Sequence, residues 1–253
     1  MFEDRESLMS SPKEQREEDE FQALYGRGAP LTPAEVADVL AGFDRPWWVV
    51  GGWAIEAATG YLREHEDTDI SLLACDLPAL VAHLAGDWHV WNNVGGVLHP
   101  LGGQWQSVDD PGSQLWVRKD ACSAWVLDIP LTPDREGRWS NKRNPEHAAD
   151  LDDVTFIAAD GIRYLNPEIV MSYKAALNRP KDTSDLTATL TVLPPSRRAW
   201  LRAAVAHQDP QHPCARKRLT RPPPAGFGVD RGPQPGMVGR RPRDCPTGGY
   251  LFH

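Results

Sequence analysis

Cysteine is scarce in this sequence, and so are long apolar runs. The four cysteines, Cys75, Cys122, Cys214 and Cys245, are widely spaced, so neither a CxxC metal motif nor a dense disulfide framework is present. No stretch approaches the roughly 20 apolar residues that a membrane-spanning helix needs. The acidic N-terminus also lacks the basic start and apolar stretch of a secretory signal. We therefore expect a soluble, cytoplasmic protein with reduced thiols.

Positive charge is in the minority as well. The chain has 27 lysine and arginine residues against 35 aspartate and glutamate residues, and a net charge of −8. Proteins whose main role is to coat nucleic acid need an excess of basic side chains, so the charge disfavours that role and leaves a local basic site open. We expect no membrane as the partner, because long apolar runs are lacking. The 253 residues, 41% of them hydrophobic, are enough to bury a sizeable core. Composition thus leaves enzymes and binding modules for small molecules.

The composition changes along the chain and divides it into four segments. Residues 1–30 are polar with little periodicity, which predicts a flexible or loosely helical acidic leader. Residues 31–165 mix strand and helix patterns, and residues 166–208 carry helical patterns separated by proline. Residues 209–253 are rich in proline, glycine and arginine, which predicts disorder. The whole predicts an α+β fold, with a small mixed β-sheet, flanking helices and a helical C-terminal subdomain.

Local signals place the first elements of the core. Residues Thr32–Glu35 form a capping box with proline at the first helical position, which predicts the start of a helix. The run Trp47–Val50 is typical of a short buried strand, and Gly51-Gly52 ends it and opens a helix that closes at Gly60. Further strands are predicted at 68–74, 88–94, 114–120, 123–132 and 154–159, and further helices at 76–86, 167–179, 181–193 and 194–208.

Asp67 and Asp69 lie two residues apart where a loop enters a predicted strand. Because strand residues alternate sides, both carboxylates project from one face. Two carboxylates held together are unfavourable unless a cation neutralises them, and oxygen ligands of this kind suit Mg²⁺ or Mn²⁺. An Asp-x-Asp pair also occurs in solvated turns, so the spacing by itself leaves that alternative open.

Gly51 and Gly52 come shortly before the two aspartates, between a strand and a helix. Small residues there allow a phosphate to approach the backbone, and the free N–H groups of the helix start would receive its negative charge. A metal-bound triphosphate therefore fits both halves of the motif. The alternative is a tight strand-to-helix turn without a ligand.

The run VVGGWAIEAATGYLREHEDTDISLL resembles the signature of the DNA polymerase β-like nucleotidyltransferase superfamily, and within it the aminoglycoside adenylyltransferase-like branch. The similarity lies at Gly51, Gly52, Trp53, Gly60, Arg63, His65, Asp67, Asp69 and Ile70. Thr68 departs from the branch, which usually has an aliphatic residue between the aspartates. The segments 164–168, 173–175 and 179–185 are also similar, so the resemblance covers residues 40–213.

The resemblance implies a nucleotidyltransferase core that transfers AMP from ATP to a hydroxyl group of a small molecule such as an aminoglycoside. It implies that Asp67, Asp69 and Asp128 are catalytic and bind Mg²⁺ or Mn²⁺, since Asp128 lies in an apolar strand where the superfamily has its third carboxylate. The nucleotide-binding residues that it implies are Gly51, Gly52, Arg63, Lys174 and Lys181. Surface ion pairs are the alternative for the three basic residues.

Residues around the candidate site are also expected to have roles. By similarity, Trp139 with Lys142 and Arg143 is expected to form a basic aromatic edge of the cleft. His65 is expected to organise the loop and not to bind the metal, because these ions prefer oxygen. The rival function is a nucleotide-binding regulatory or toxin-like module that acts on protein or RNA, or an inactive relative.

Overall fold

The computed structural model describes residues 12–94, 97–102, 113–175, 177 and 179–212. Its helices are α1 (Pro12–Tyr25), α2 (Pro33–Val39), α3 (Gly51–Thr59), α4 (Leu77–Leu84), α5 (Leu151–Val154), α6 (Pro167–Lys174), α7 (Pro180–Val192) and α8 (Pro195–Gln208). Its strands are β1 (Trp47–Val49), β2 (Ile70–Leu72), β3 (His89–Val94), β4 (Val97–Pro100), β5 (Gln114–Arg118), β6 (Leu127–Pro130), β7 (Asp134–Arg135), β8 (Arg138–Asn141), β9 (Asn144–Ala149), β10 (Thr155–Ile157) and β11 (Arg163–Leu165). The predicted tail lies outside the described residues beyond residue 212.

Two four-stranded sheets carry the core, with the orders β10-β11-β1-β2 and β4-β3-β5-β6. Strand β1 pairs in parallel with β11 and antiparallel with β2, so the first sheet is mixed. Parallel bridges between Asp69 and Asp128 and between Leu73 and Thr132 join β2 to β6. The two sheets therefore meet at the carboxylates. A third, three-stranded sheet has the order β7-β8-β9.

The helix starts and ends follow the predicted local signals. The capping box of α2 is confirmed, because Thr32 accepts from the backbone of Glu35 and the Glu35 carboxylate accepts from the backbone of Thr32. Helix α3 ends at Gly60, whose φ of 72° is left-handed and favours glycine. The three predicted C-terminal helices are present as α6, α7 and α8. None of the helices in the described part of the chain is long and apolar enough to cross a membrane.

The hydrophobic core lies where the joined sheets meet the helices. Helix α3 packs against β11, α6 and α7, and α4 packs against β3. The side chains of Trp48, Ile55, Ile70, Leu115 and Ile129 are fully buried there. This mixed sheet with helices confirms the predicted α+β class and fixes the ends of β1, β2 and β6, on which the candidate site is built.

Two features differ from the predictions. Trp139 is only 1% exposed and its ring lies 5.6 Å from that of His147, so it packs in the core and does not form an edge of the cleft. Its strand β8 was not predicted, because the short, polar strands of the third sheet lack a periodic apolar pattern. In the predicted leader, α1 is helical, and the Phe21 ring at its end contacts Trp116.

Candidate active site

Three carboxylates come together where β2 and β6 meet. Asp67 is exposed in the loop before β2, Asp69 directly precedes that strand, and Asp128 is the second residue of β6. A bridge pairs Asp69 with Asp128, and the backbone N–H of Asp128 donates to the carbonyl of Thr68 at 3.3 Å. Thr68 itself is buried. The pairing of β2 with β6 thus brings together the three predicted carboxylates.

The surroundings of these carboxylates favour their protonated forms. Burial, followed by the charge of Asp67, raises the pKa of Asp69 to about 7. Burial, followed by the charge of Asp69, raises the pKa of Asp128 to about 8, although a hydrogen bond from the Gln114 amide to Asp128 Oδ2 acts in the opposite direction. Asp128 Oδ1 is buried without a hydrogen-bond partner among the described residues. The site therefore has negative charge that a cation or a proton must neutralise.

The donor set fits a hard divalent cation. Carboxylate oxygens are the ligands that Mg²⁺ and Mn²⁺ prefer. Asp128 Oδ1 accepts no hydrogen bond from the described residues, so it is free to bind a cation. In the described part of the chain, however, no group of three His, Cys, Asp or Glu side chains is arranged as a ready metal site. The fit therefore rests on the charge of Asp67, Asp69 and Asp128 and on the free oxygen.

Gly51 connects β1 to α3 directly beside Asp69. Its φ is +66°, and a Cβ built on it would lie 2.6 Å from Asp69 Oδ2. The backbone N–H of Val50 donates to the carbonyl of Asp69 at 2.9 Å, which holds the turn against the strand end. Only glycine allows both the left-handed backbone and this close approach. The helix start and the carboxylates are thus neighbours, as the motif predicted.

The neighbouring Gly52 leaves room for the guanidinium group of Arg63. A Cβ at Gly52 would collide with Arg63 Nη2 and would lie 2.8 Å from His65 Nδ1. His65 Nε2 is 2.8 Å from Glu56 Oε2, and the His65 ring stacks on Trp53 with centroids 4.0 Å apart. His65 therefore joins its loop to the first turns of α3, which agrees with the predicted organising role.

The three predicted nucleotide-binding cations are each paired with a carboxylate. Arg63 Nε donates to Asp185 Oδ1 at 3.1 Å, and Lys174 Nζ donates to Asp185 Oδ2 at 2.6 Å. Asp185 is fully buried on α7. Lys181 donates at 2.8 Å to Glu66, in the loop that carries Asp67, and this bond lowers the pKa of Glu66. Their role with a triphosphate stays a prediction, and the structure shows that Arg63 and Lys174 also join the motif to the C-terminal helices.

Residues outside the predicted set also belong to the site. Gln114 and Trp116 on β5 face the same side as Asp128, because Trp116 is the register partner of Asp128. A pocket of about 300 Å³ lies beside these residues and is lined by Asp67, Asp128 and the end of α1. Sequence reasoning missed them because cross-strand register is a long-range property. The alternation of polar and apolar residues in β5 was the available signal.

Comparison with known proteins finds a family that resembles part of this chain. The family model described as aminoglycoside-2''-adenylyltransferase matches residues 34–89, which hold the Gly51-Gly52 turn, Asp67 and Asp69. The chain is similar to that family over these 56 of its 253 residues. The matched residues run from α2 to the start of β3. They include neither Asp128 nor α1. No curated protein matches the chain significantly.

Two solved structures align with this chain, each with a TM-score of 0.44. The lincomycin-bound lincosamide antibiotic adenylyltransferase LnuA is 18% identical, over 65% of this chain and 100% of that chain. The antibiotic-resistance factor ANT(2'')-Ia, solved in solution, is 20% identical, over 68% of this chain and 87% of that chain. A TM-score of this size carries no information about the substrate.

The close approach at Gly51 leads to a first prediction. We expect Gly51→Ala to lower the free energy of unfolding by about 1–2 kcal/mol through its left-handed backbone, and to reduce nucleotide transfer by displacing Asp69. Gly60→Ala is the matched control, because Gly60 has a φ of +72° but no atom within 4 Å of a built Cβ. Denaturant unfolding and pyrophosphate release measure the two effects. Equal loss of activity in both variants would contradict the contact with Asp69.

Proposed function

We propose that this adenylyltransferase-like protein transfers AMP from ATP to a hydroxyl group of a small antibiotic molecule, and that a divalent metal ion is required. The observation that carries the proposal is the meeting of Asp67, Asp69 and Asp128 beside the Gly51-Gly52 helix start. Acidic oxygens for a metal and backbone N–H groups for phosphate are the two requirements of nucleotidyl transfer. The matched family description supports adenylyl transfer and an aminoglycoside-type acceptor.

Each residue has a role that follows from its position. Asp67, Asp69 and Asp128 would hold Mg²⁺, which when bound neutralises the triphosphate and polarises the α-phosphate. The glycine turn allows the phosphates to approach the N–H groups at the start of α3. Asp128 Oδ1 has no hydrogen-bond partner among the described residues, so the ionised carboxylate has a free oxygen for the hydroxyl proton. The attacking oxygen then bonds to the α-phosphorus, and pyrophosphate leaves.

Of the three predicted cations, Lys181 has the ion pair that is most easily exchanged for a triphosphate. It is held by one ion pair to Glu66, whose side chain is 79% exposed, so exchanging that partner for a phosphate costs little. Lys174 and Arg63, in contrast, share the buried Asp185. We propose that these two cations contribute to nucleotide binding mainly through their positive electrostatic potential near the site. The charge of Lys174 already acts on Asp69, because it lowers the pKa of that carboxyl group.

The direct test is the identity of the product. The full-length protein is incubated with ATP, Mg²⁺ and, separately, an aminoglycoside or lincomycin, and the mass of each antibiotic is measured. We expect one antibiotic to gain the mass of one adenylyl group, with one pyrophosphate released per molecule modified. Pyrophosphate release without a modified antibiotic, or no release with any hydroxylated acceptor, would contradict the proposal.

The raised pKa values of Asp69 and Asp128 lead to a second prediction, for the metal-free protein. Folded-state pKa values near 7 and 8 lie above the ordinary 3.8, so between pH 4 and 8 the folded protein keeps protons that the unfolded chain releases. The contribution of these groups to stability is therefore fully present below pH 4 and is lost as the pH rises towards 8. Because bound Mg²⁺ displaces the protons, its affinity should rise over the same range.

Substitution isolates this effect from the other titrating groups. Asp69→Asn mimics the protonated form, so its stability relative to the wild type should be greater at pH 8 than at pH 5 when a chelator is present. Denaturant unfolding at both pH values measures the difference, and Asp87→Asn, at an exposed position after α4, is the control. If the free energies of unfolding of Asp69→Asn and wild type differed by the same amount at both pH values, burial would not raise the pKa of Asp69.

A further inference from the structure

The pocket of about 300 Å³ beside the carboxylates is lined by two unlike groups of side chains. Glu66, Asp67 and Asp128 are acidic, and Phe21, Trp116 and Trp125 form the aromatic side. Its volume is at the lower end of the range that binds drug-sized molecules. One wall comes from the end of α1, which lies outside the residues 34–89 that match the family model. That wall is therefore a feature of this chain which the family match does not explain.

The wall formed by α1 is firmly attached to the sheet. The Phe21 ring meets the Trp116 ring edge-on, with centroids 5.7 Å apart and planes at 68°. The Trp125 indole N–H donates to the carbonyl of Tyr25 at 2.6 Å, and the backbone N–H of Ala29 donates to the carbonyl of Trp125 at 2.8 Å. A parallel bridge between Gly28 and Trp125 continues this contact. The segment that follows α1 is thus paired with the residues before β6, and it holds the end of the helix beside the sheet.

Trp116 places the aromatic side of the pocket next to the candidate base. Trp116 and Asp128 are directly opposite each other on β5 and β6, so their side chains are neighbours on one face of the sheet. The Trp116 indole N–H is buried without a partner among the described residues, and so is Asp128 Oδ1. Two residues that line the pocket therefore each carry a polar atom whose hydrogen-bonding capacity is unused among the described residues.

We propose that the end of α1 forms one wall of the acceptor subsite, and that this subsite selects an amphipathic acceptor whose apolar ring face packs on Phe21 and Trp116 while a hydroxyl group reaches Asp128. This inference rests on the proposed transfer function. An amine on the same acceptor fits the exposed carboxylate of Glu66, which also lines the pocket. A molecule charged on all sides fits less well, because its ammonium groups would lose water against the aromatic side.

The position of the pocket favours the acceptor over the nucleotide. The predicted phosphate site is at Gly51 and Gly52, beside Asp69, and these three residues do not line the pocket. Asp67 and Asp128 line it and so stand between the two sites. In an in-line displacement the attacking and leaving oxygens are on opposite sides of the phosphorus. The pocket is thus separate from the predicted phosphate site and is available to an acceptor whose hydroxyl group attacks.

The test compares Phe21→Ala and Trp116→Phe with Leu24→Ala in the full-length protein. Leu24 is on the same helix but is 78% exposed, so it is the matched control for changes in α1. We expect Phe21→Ala to raise the KM for lincomycin, the amphipathic probe, about tenfold, with KM for ATP and kcat unchanged. Trp116→Phe keeps an aromatic ring but removes the N–H, and should raise the same KM less. Leu24→Ala should behave as the wild type.

Calorimetric titration of lincomycin and an aminoglycoside without ATP separates this inference from the transfer function. Binding of lincomycin that Phe21→Ala weakens and Leu24→Ala does not would support the pocket even if no transfer followed. If KM and Kd for the antibiotics were the same in Phe21→Ala, Trp116→Phe and wild type, the pocket would not be the acceptor subsite. The proposed transfer function would be unaffected by that result. A change in the KM for ATP alone would also overturn the acceptor subsite, because the pocket would then hold the nucleotide.

Discussion

Asp128→Asn should lower the rate of nucleotide transfer about 100- to 10,000-fold, the range for loss of a general base. The substitution keeps the size of the side chain and the strand pairing of β6, but it removes the only carboxylate in the site that has a free buried oxygen. Because the ionised form of Asp128 is disfavoured by burial, the variant should unfold at the same or a higher temperature than the wild type. Pyrophosphate release and thermal unfolding measure the two effects.

Asp87→Asn serves as the control for Asp128→Asn, since Asp87 is exposed and does not line the pocket beside the carboxylates. It should keep wild-type activity. If Asp128→Asn retained activity within a few-fold of the wild type, Asp128 would be a structural residue of β6, and the base would have to be another group in the cleft.

Asp185→Asn should cause the largest loss of stability. Asp185 is fully buried and neutralises both Arg63 and Lys174. Its removal takes away the carboxylate that Arg63 binds and leaves Lys174 with the longer ion pair to Asp182, at 3.5 Å. Breaking such a buried pair costs about 3–5 kcal/mol. Because these contacts join the loop before β2 to α6 and α7, transfer activity should also fall. Denaturant unfolding gives the free energy, and KM for ATP shows whether the released cations change nucleotide binding.

An exposed ion pair gives the matched control for Asp185. Asp150 accepts from Arg138 at 2.9 Å, and the two side chains are 70% and 51% exposed. Asp150→Asn should therefore cost about 0–1 kcal/mol. Equal losses in Asp150→Asn and Asp185→Asn would show that the buried cluster does not hold the C-terminal helices to the motif.

The sequence predicted the elements whose cause is local. The capping box at Thr32, the strand at Trp47–Val49, the glycine turn and the αL end of α3 at Gly60 all depend on residues within one or two turns. The motif Asp67-Thr68-Asp69 could be recognised from the sequence for the same reason. In the structure Asp69 lies beside the Gly51 turn, as the motif predicted.

The parts of the fold and the candidate site that the sequence did not predict depend on contacts between residues that are distant in sequence. The bridge from Asp69 to Asp128 and the ion pairs from Arg63 to Asp185 join residues that are 59 and 122 positions apart, and no local pattern reports them. The neighbour of Asp128 across the sheet, Trp116, also depends on register. For α1, the polar composition predicted a leader, but the aromatic rings at its end find partners only once β5 and β6 are paired.

The central claim is that these carboxylates serve a metal-dependent nucleotidyl transfer. The most direct test is to titrate Mg²⁺ into the wild type, Asp69→Asn and Asp87→Asn with ATP and an acceptor, and to measure pyrophosphate release. The account predicts saturable Mg²⁺ dependence in the wild type and in Asp87→Asn, and release in Asp69→Asn reduced to the uncatalysed background at every Mg²⁺ concentration. Metal-independent release, or a wild-type rate in Asp69→Asn, would contradict it.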